Sequence, residues 1–166
     1  MLVIGIDPGT ARTGYGVVRQ GQGRDLVYVA AGVISTSAES PMPERLLELH
    51  SALTEVISLH RPQSGAVEKL FFQRNVSTAM SVGQARGVAL LALAEASVSV
   101  AEYSPGEIKE AVAGYGGADK RQIQEMVRVL LKMEAPPRPD DVADALAIAI
   151  CHISASGFHK RLEGQG

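Results

Sequence analysis

The sequence has no tryptophan, three phenylalanines, four tyrosines and a single cysteine, Cys151. With so few aromatic residues, the core has to be built from aliphatic side chains. One cysteine excludes an intramolecular disulfide and is typical of a reducing compartment, here the cytoplasm. No basic stretch or cleavage site precedes the first apolar run, so we expect no signal peptide. The most apolar helical pattern, over residues 76–94, carries Ser, Thr, Gln and Arg, which argues against a transmembrane span.

The charge of the chain says little about its partners. The formal net charge is −2, which argues weakly against binding to nucleic acid. Residues 69–132 are the one part with more Lys and Arg than Asp and Glu, by eight to six. This small excess fits a solvated face as well as a DNA-binding face. The length of 166 residues predicts one domain over 1–158, followed by a polar tail over 159–166 that we expect to be disordered.

The first strand pattern ends in a carboxylate. Residues 2–6 form an apolar run broken only by a glycine, which is typical of a strand buried on both faces. Asp7 follows, and Pro8 and Gly9 then favour a tight turn. A carboxylate at the end of a buried strand is held in position yet open to solvent, which suits a metal ligand. The alternative is that Asp7 only caps the turn, and this stretch does not decide between the two.

Apolar periodicity predicts an α/β fold with a five-stranded mixed sheet flanked by helices. The first three strands have short connections and form an antiparallel meander. A helix then leads to a short strand ending at Glu68, which a right-handed crossover places parallel to the first strand. Asp7 and Glu68 therefore emerge at one edge, where ligands of open α/β sheets bind. The predicted strands cover 2–6, 13–19, 26–36, 65–68 and 98–103, and the predicted helices cover 40–61, 76–96, 105–113, 119–131 and 140–156.

Three carboxylates open the last predicted helix. Asp140 is a suitable N-cap, and negative charges in the first turn interact favourably with the helix dipole. Asp144 fits this explanation poorly, because Ala, Leu and Ile surround it and make the helix almost wholly apolar. A partly buried carboxylate needs a partner or a metal. Asp141 and Asp144 are three residues apart and share a face of the helix.

These observations define four candidate metal ligands: Asp7, Glu68, Asp141 and Asp144. If the last helix packs near the strand ends, the four side chains converge. Carboxylate clusters without His or Cys favour hard cations such as Mg²⁺ or Mn²⁺. Two such ions about 4 Å apart are the arrangement that catalyses phosphodiester hydrolysis. The hypothesis depends on a convergence that the residue pattern alone does not establish.

The order of elements and four sequence stretches resemble one known family. The element order is similar to a ribonuclease H-like fold. The stretches are IGIDPG at 4–9, Val67 and Glu68 followed by Phe71, VGQARG at 82–87, and DVADALA at 141–147. Together they resemble the RuvC family, bacterial endonucleases that resolve Holliday junctions in homologous recombination and DNA repair. The similarity covers nearly the whole chain, with the motifs in the family's order.

The resemblance implies an activity, a site and partners. It implies a homodimer that cuts two strands of a four-way DNA junction symmetrically, leaves 5′-phosphates, and works with the branch-migration proteins RuvA and RuvB. The nearly uncharged helix over 76–96 is then the expected dimer interface. The implied catalytic and metal-binding residues are Asp7, Glu68, Asp141 and Asp144, with Mg²⁺ or Mn²⁺ as two ions per subunit. The implied DNA-binding residues are Phe71, Phe72, Arg74, Lys109 and Lys120.

Other interpretations stay open at this point. The turn after Asp7 also resembles the first phosphate-binding turn of actin-like ATPases and sugar kinases, but those proteins need two such domains. A junction-binding module without catalysis is the second alternative, although four carboxylates without metal would repel DNA. Lys109 and Lys120 also fit ordinary surface lysines. Arg86, in an apolar helix, is expected to be structural, and His152 is expected to be a core or interface histidine and not a ligand.

Overall fold

The computed structural model describes residues 1–23, 25–69 and 76–163, leaving aside the side chains at 76–78 and 158–163. Within these residues the chain forms five strands and five helices. The strands are β1 (Leu2–Asp7), β2 (Arg12–Gln20), β3 (Leu26–Ser35), β4 (Ser64–Glu68) and β5 (Ser99–Tyr103). The helices are α1 (Met42–His60), α2 (Val76–Glu95), α3 (Pro105–Ala113), α4 (Lys120–Leu130) and α5 (Asp140–Glu163).

All five strands form one mixed sheet in the order β3-β2-β1-β4-β5. The first three strands pair antiparallel as a meander, while β4 pairs parallel with both β1 and β5. This arrangement puts the C-terminal ends of β1 and β4 side by side, because Ile6 is paired with Val67. The predicted α/β fold and the five-stranded mixed sheet are confirmed.

The sheet separates two hydrophobic cores, as expected for strands that are apolar on both faces. On one face β1 and β4 pack against α1 and α2, through residues such as Ile4, Leu53 and Leu93. On the other face α5 lies against the sheet and is itself covered by α3 and α4. Because α5 is enclosed from both sides, nearly every residue from Val142 to Ile153 is buried, and a polar side chain on this helix has to be matched by a partner.

Glycines in β1 and β2 let α5 come unusually close to the sheet. A Cβ atom on Gly5 would overlap with the carbonyl oxygen of Ala145, and one on Gly14 would overlap with the carbonyl oxygen of Asp141. These positions therefore accept only a residue without a side chain. Since Gly14 is the cross-strand partner of Asp7, the contact places the first turns of α5 over the end of β1.

The predicted element bounds agree with the structure to within a few residues, except at the end of α5. The helix continues to Glu163 instead of ending near Ser156, because Gly157 lowers helix propensity but does not interrupt the hydrogen bonds as proline would. The division into a domain over 1–158 and a tail over 159–166 stays a prediction, although α5 crosses that boundary. No helix within the described residues is both long and apolar enough to cross a membrane.

Candidate active site

Two of the four candidate acids stand at the ends of neighbouring parallel strands. Asp7 is the last residue of β1 and Glu68 is the last residue of β4. Both strands are almost wholly buried before these residues, and the two carboxylates are only partly exposed. The buried strands hold the backbone in place while each terminal side chain reaches the surface at the same edge of the sheet.

The other two acids come from the first turns of α5. Asp141 lies against Gly14, and Gly14 is the residue paired with Asp7 on the neighbouring strand. Asp144 follows one turn later and raises the pKa of both Asp7 and Glu68 through its charge. The docking of α5 onto the glycines thus brings its two acids near Asp7 and Glu68, which are far from them in the sequence.

The electrostatics of the cluster reflect burial and crowding of like charge. Burial, followed by the charges of Asp144, Glu68 and Asp141, raises the pKa of Asp7 from 3.8 to about 7. Burial and the charge of Asp144 also raise the pKa of Glu68. Burial raises the pKa of Asp144, although Lys120 opposes the effect. A site in which several carboxylates resist ionisation is prepared to accept cations, because a cation removes the repulsion.

The two predicted DNA-contacting lysines lie beside these acids. Lys120, the first residue of α4, has its Nζ atom 3.0 Å from Asp140 and 3.6 Å from Asp144. Lys109 lies on α3 and opposes the rise in the pKa of Glu68 through its positive charge. The structure therefore brings both lysines to the acidic cluster, while their contacts with DNA stay a prediction.

Asp140 differs from its predicted role as an N-cap. It is the first residue of α5, and its carboxylate accepts a hydrogen bond of 2.9 Å from the side-chain amide of Gln124. Together with the ion pair to Lys120, this contact ties the start of α5 to α4. Asp140 thus contributes to the position of Lys120 at the site.

Residue patterns alone missed one arginine at the site. Arg12, the first residue of β2, forms an ion pair of 2.7 Å with Asp141. The available signal was topological: β2 begins just after the turn that follows Asp7, so its first residues return past the same edge of the sheet. That signal identifies the neighbourhood of Arg12 but not its partner on α5.

Arg86 has the structural role expected for it. Its guanidinium lies 2.6 Å from Glu102 on β5, and its Nε–H donates a hydrogen bond of 3.4 Å to the backbone carbonyl of Glu68. The contact restrains the end of β4 from the direction of α2. His152 is also a satisfied core histidine, because Tyr103 and Ser64 lie 2.8 and 2.9 Å from its two ring nitrogens.

Three predicted DNA-binding residues, Phe71, Phe72 and Arg74, lie outside the described residues, so their roles stay predictions. Among the described residues, no three His, Cys, Asp or Glu side chains are gathered closely enough to hold an ion as they stand. Asp141 and Asp144 are instead directed to Arg12 and Lys120. The donor set nevertheless fits a hard divalent cation, since it consists of carboxylates with mutual repulsion to relieve.

Comparison with known proteins identifies the family. The family model described as "Crossover junction endodeoxyribonuclease RuvC" matches residues 3–152. The chain belongs to the RuvC family. A RuvC from Roseiflexus sp. (strain RS-1) is 56% identical over 160 residues, which cover 96% of this chain and 95% of that protein. The resemblance inferred from the four sequence stretches is thereby confirmed.

Solved structures of the RuvC family agree with the fold. The Thermus thermophilus RuvC structure has a TM-score of 0.89 and 40% sequence identity, covering 96% of this chain and 97% of that chain. The structure of T. thermophilus RuvC in complex with Holliday junction substrate has a TM-score of 0.90 and 40% identity, covering 94% of both chains. The shared RuvC fold includes the sheet edge and the helix that carry the four acids here.

Proposed function

We propose that this chain is a crossover junction endodeoxyribonuclease that binds a four-way DNA junction and hydrolyses two opposing strands near the crossover. The reaction would leave 5′-phosphates and ligatable nicks, and would serve homologous recombination and DNA repair in the cytoplasm. Membership of the RuvC family supports this activity. The T. thermophilus relative solved with Holliday junction substrate supports the choice of DNA.

One observation carries the proposal: four carboxylates from three separate elements lie near enough at one sheet edge for their charges to shift one another's pKa values. Burial, followed by the charges of the other three acids, raises the pKa of Asp7 to about 7. Without cations such a cluster destabilises the fold and repels phosphates. Its presence is therefore best explained by cation binding at the point where DNA is cut.

Asp7, Glu68, Asp141 and Asp144 would hold Mg²⁺ or Mn²⁺, in our proposal two ions per subunit. When bound, the ions would activate the attacking water and neutralise charge at the phosphorus and the leaving oxygen. Two contacts within the protein restrain the positions of these acids. Gly14 fixes the approach of Asp141, and Arg86 holds the carbonyl of Glu68.

The basic side chains of the protein would orient the DNA around the acids. Lys120 and Lys109 are close enough to the cluster to contact phosphates next to the scissile bond. Phe71 and Phe72 would support unpaired bases at the crossover, with Arg74 on the backbone beside them. The assignments of Phe71, Lys109 and Lys120 follow from the family residues that they match. Phe72 and Arg74 are assigned because they are close to Phe71 in the sequence.

Two symmetric cuts imply two active sites related by a two-fold axis. We propose a homodimer in which α2 lies at the interface, because Met80 and Leu91 on this helix are 63% and 52% exposed. RuvA and RuvB are the partners that would deliver the junction. Size-exclusion chromatography with light scattering tests the dimer, and a monomer at all concentrations would contradict it.

The activity is tested on a synthetic mobile four-way junction with each strand end-labelled in turn. The protein is incubated in EDTA, Mg²⁺ or Mn²⁺, beside Asp7→Asn and the matched surface variant Asp25→Asn. We expect paired cuts on opposing strands only with metal. Asp7→Asn should abolish them without abolishing junction binding, and Asp25→Asn should cut normally. The control is suitable because Asp25 is exposed and contacts only Lys132 among the ion pairs of the described residues.

The same experiment separates the alternatives. Binding without cutting under every metal condition would indicate a junction-binding module. Failure to bind or cut, together with hydrolysis of nucleoside triphosphate, would indicate an ATPase-like domain. Either result would overturn the proposed nuclease activity.

A further inference from the structure

Arg12 forms an ion pair with Asp141, one of the acids that the proposed function assigns to cation binding. Its guanidinium lies 2.7 Å from Asp141, and the side chains of Arg12 and Asp141 are 48% and 27% exposed. Asp141 is one of the four acids proposed to hold cations. A carboxylate oxygen that binds a divalent cation loses much of its attraction for a guanidinium, because the cation neutralises its charge.

The surroundings of Arg12 suit a phosphate. Arg12 lines an open surface cleft of about 660 Å³ together with Lys120, Arg138 and the first residues of α5. Arg138 is exposed, and its charge adds to the larger effect of Lys120 in lowering the pKa of Asp140. Three cationic side chains thus face one cleft, and Asp141 forms part of its wall beside the catalytic cluster. The three cations of this open cleft outnumber the carboxylates of Asp140 and Asp141, which favours an anion such as a phosphate.

We infer that Arg12 binds a phosphate of the DNA junction, and that Asp141 holds this arginine until divalent cations occupy the acidic cluster. The inference rests on the proposed function. Released from Asp141, the planar guanidinium can bind two phosphate oxygens at once, which a lysine cannot do. Cation binding would then both complete the catalytic site and add a DNA contact next to it.

This arrangement couples the two ligands in a measurable way. In the protein without DNA, Arg12 competes with the cation for Asp141, so removing the arginine should strengthen cation binding. Because an exposed ion pair is weak, the gain should be about two- to fivefold. With the cation bound, removing Arg12 should weaken DNA binding, and the effect should be small when the cation is absent.

The test compares Arg12→Gln, Arg12→Lys and Arg19→Gln with the unchanged protein. Arg19 is a matched control because it is exposed on the same strand, about 23 Å away at the usual rise per residue. Fluorescence anisotropy measures binding of a labelled four-way junction in EDTA and in Ca²⁺ over a range of KCl concentrations. A gel run on the same samples shows whether the junction stays uncut. Calorimetry measures Mg²⁺ binding without DNA.

We expect the cation to change the salt dependence of the variants. In Ca²⁺, the slope of log K against log [KCl] should be less steep by about one for Arg12→Gln, the change expected when one phosphate contact is lost. In EDTA the slopes should be the same. Arg12→Lys should restore most of the slope in Ca²⁺, and Arg19→Gln should match the unchanged protein throughout. Arg12→Gln should also bind Mg²⁺ about two- to fivefold more tightly.

Two results would overturn the inference while leaving the nuclease intact. Equal slopes in Ca²⁺ would mean that Arg12 contacts no phosphate, and equal losses in EDTA and Ca²⁺ would mean that Asp141 does not hold it back. The proposed function fails differently. An unchanged protein that binds neither Mg²⁺ nor the junction would refute both proposals, since no cation would then release Arg12.

Discussion

Replacing Asp7 by asparagine should stabilise the metal-free protein while abolishing its activity. Burial and the charges of Asp144, Glu68 and Asp141 raise the pKa of Asp7 from 3.8 to about 7. At pH 8 the folded protein therefore carries an ionised carboxylate that its surroundings disfavour. Asparagine has nearly the same shape and no charge, so the variant removes this cost without leaving a cavity.

The size of the effect follows from the two pKa values. The difference between 3.8 and about 7, at 1.36 kcal/mol for each pH unit, corresponds to about 4 kcal/mol. Because the pKa of Asp7 is raised on folding, its contribution to the free energy of unfolding is fully present below pH 3.8. This contribution is lost progressively as the pH rises from 3.8 to about 7. Asp7→Asn should thus gain about 4 kcal/mol at pH 8, but only about 1.6 kcal/mol at pH 5.

Urea unfolding in EDTA at pH 8 and pH 5 measures this difference. Asp25→Asn is the matched control and should change the free energy of unfolding by less than about 0.5 kcal/mol at either pH. Addition of Mg²⁺ should stabilise the unchanged protein more than Asp7→Asn, because ligands that bind only the folded state raise its stability. A gain that is absent at pH 8, or equal at both pH values, would refute the reasoning.

Two further predictions concern how the site is held. Gly14→Ala should cost several kcal/mol in urea unfolding and abolish cleavage, because the new Cβ would overlap with the carbonyl of Asp141; a variant as stable and active as the unchanged protein would contradict the close contact. Burial lowers the pKa of His152 below 6.5. The contribution of neutral His152 to the stability of the fold is therefore present above pH 6.5 and is lost as the pH falls through the pKa of the folded protein. The stability advantage over His152→Gln should therefore shrink between pH 8 and pH 5, and a constant advantage would argue against a neutral, buried His152.

The family and the positions of Asp7 and Glu68 could be predicted because they depend on local patterns. Buried strands are recognisable as apolar runs, and the handedness of a parallel crossover is nearly invariant. Together these rules place both carboxylates at one edge of the sheet. The roles of the four acids in metal binding and cleavage stay predictions.

The extent of α5 and the role of Asp140 could not be predicted in the same way. Gly157 is a weak helix breaker, and whether the helix stops there depends on its surroundings. Asp140 is an acceptable N-cap by composition, yet Lys120 and Gln124 on α4 hold its carboxylate instead. Local propensity gives way here to contacts between helices.

The sequence by itself determined the order of strands and helices, the two acids that end buried strands, and the pair of acids on one face of the last helix. Only the tertiary structure decided which basic side chains contact these acids. Arg12 contacts Asp141, Lys120 contacts Asp144, and Arg86 contacts the backbone carbonyl of Glu68. The physical reason is that periodicity encodes which face of an element is buried. The partner of a charged side chain depends instead on how closely two elements pack, and here Gly5 and Gly14 set that distance for α5.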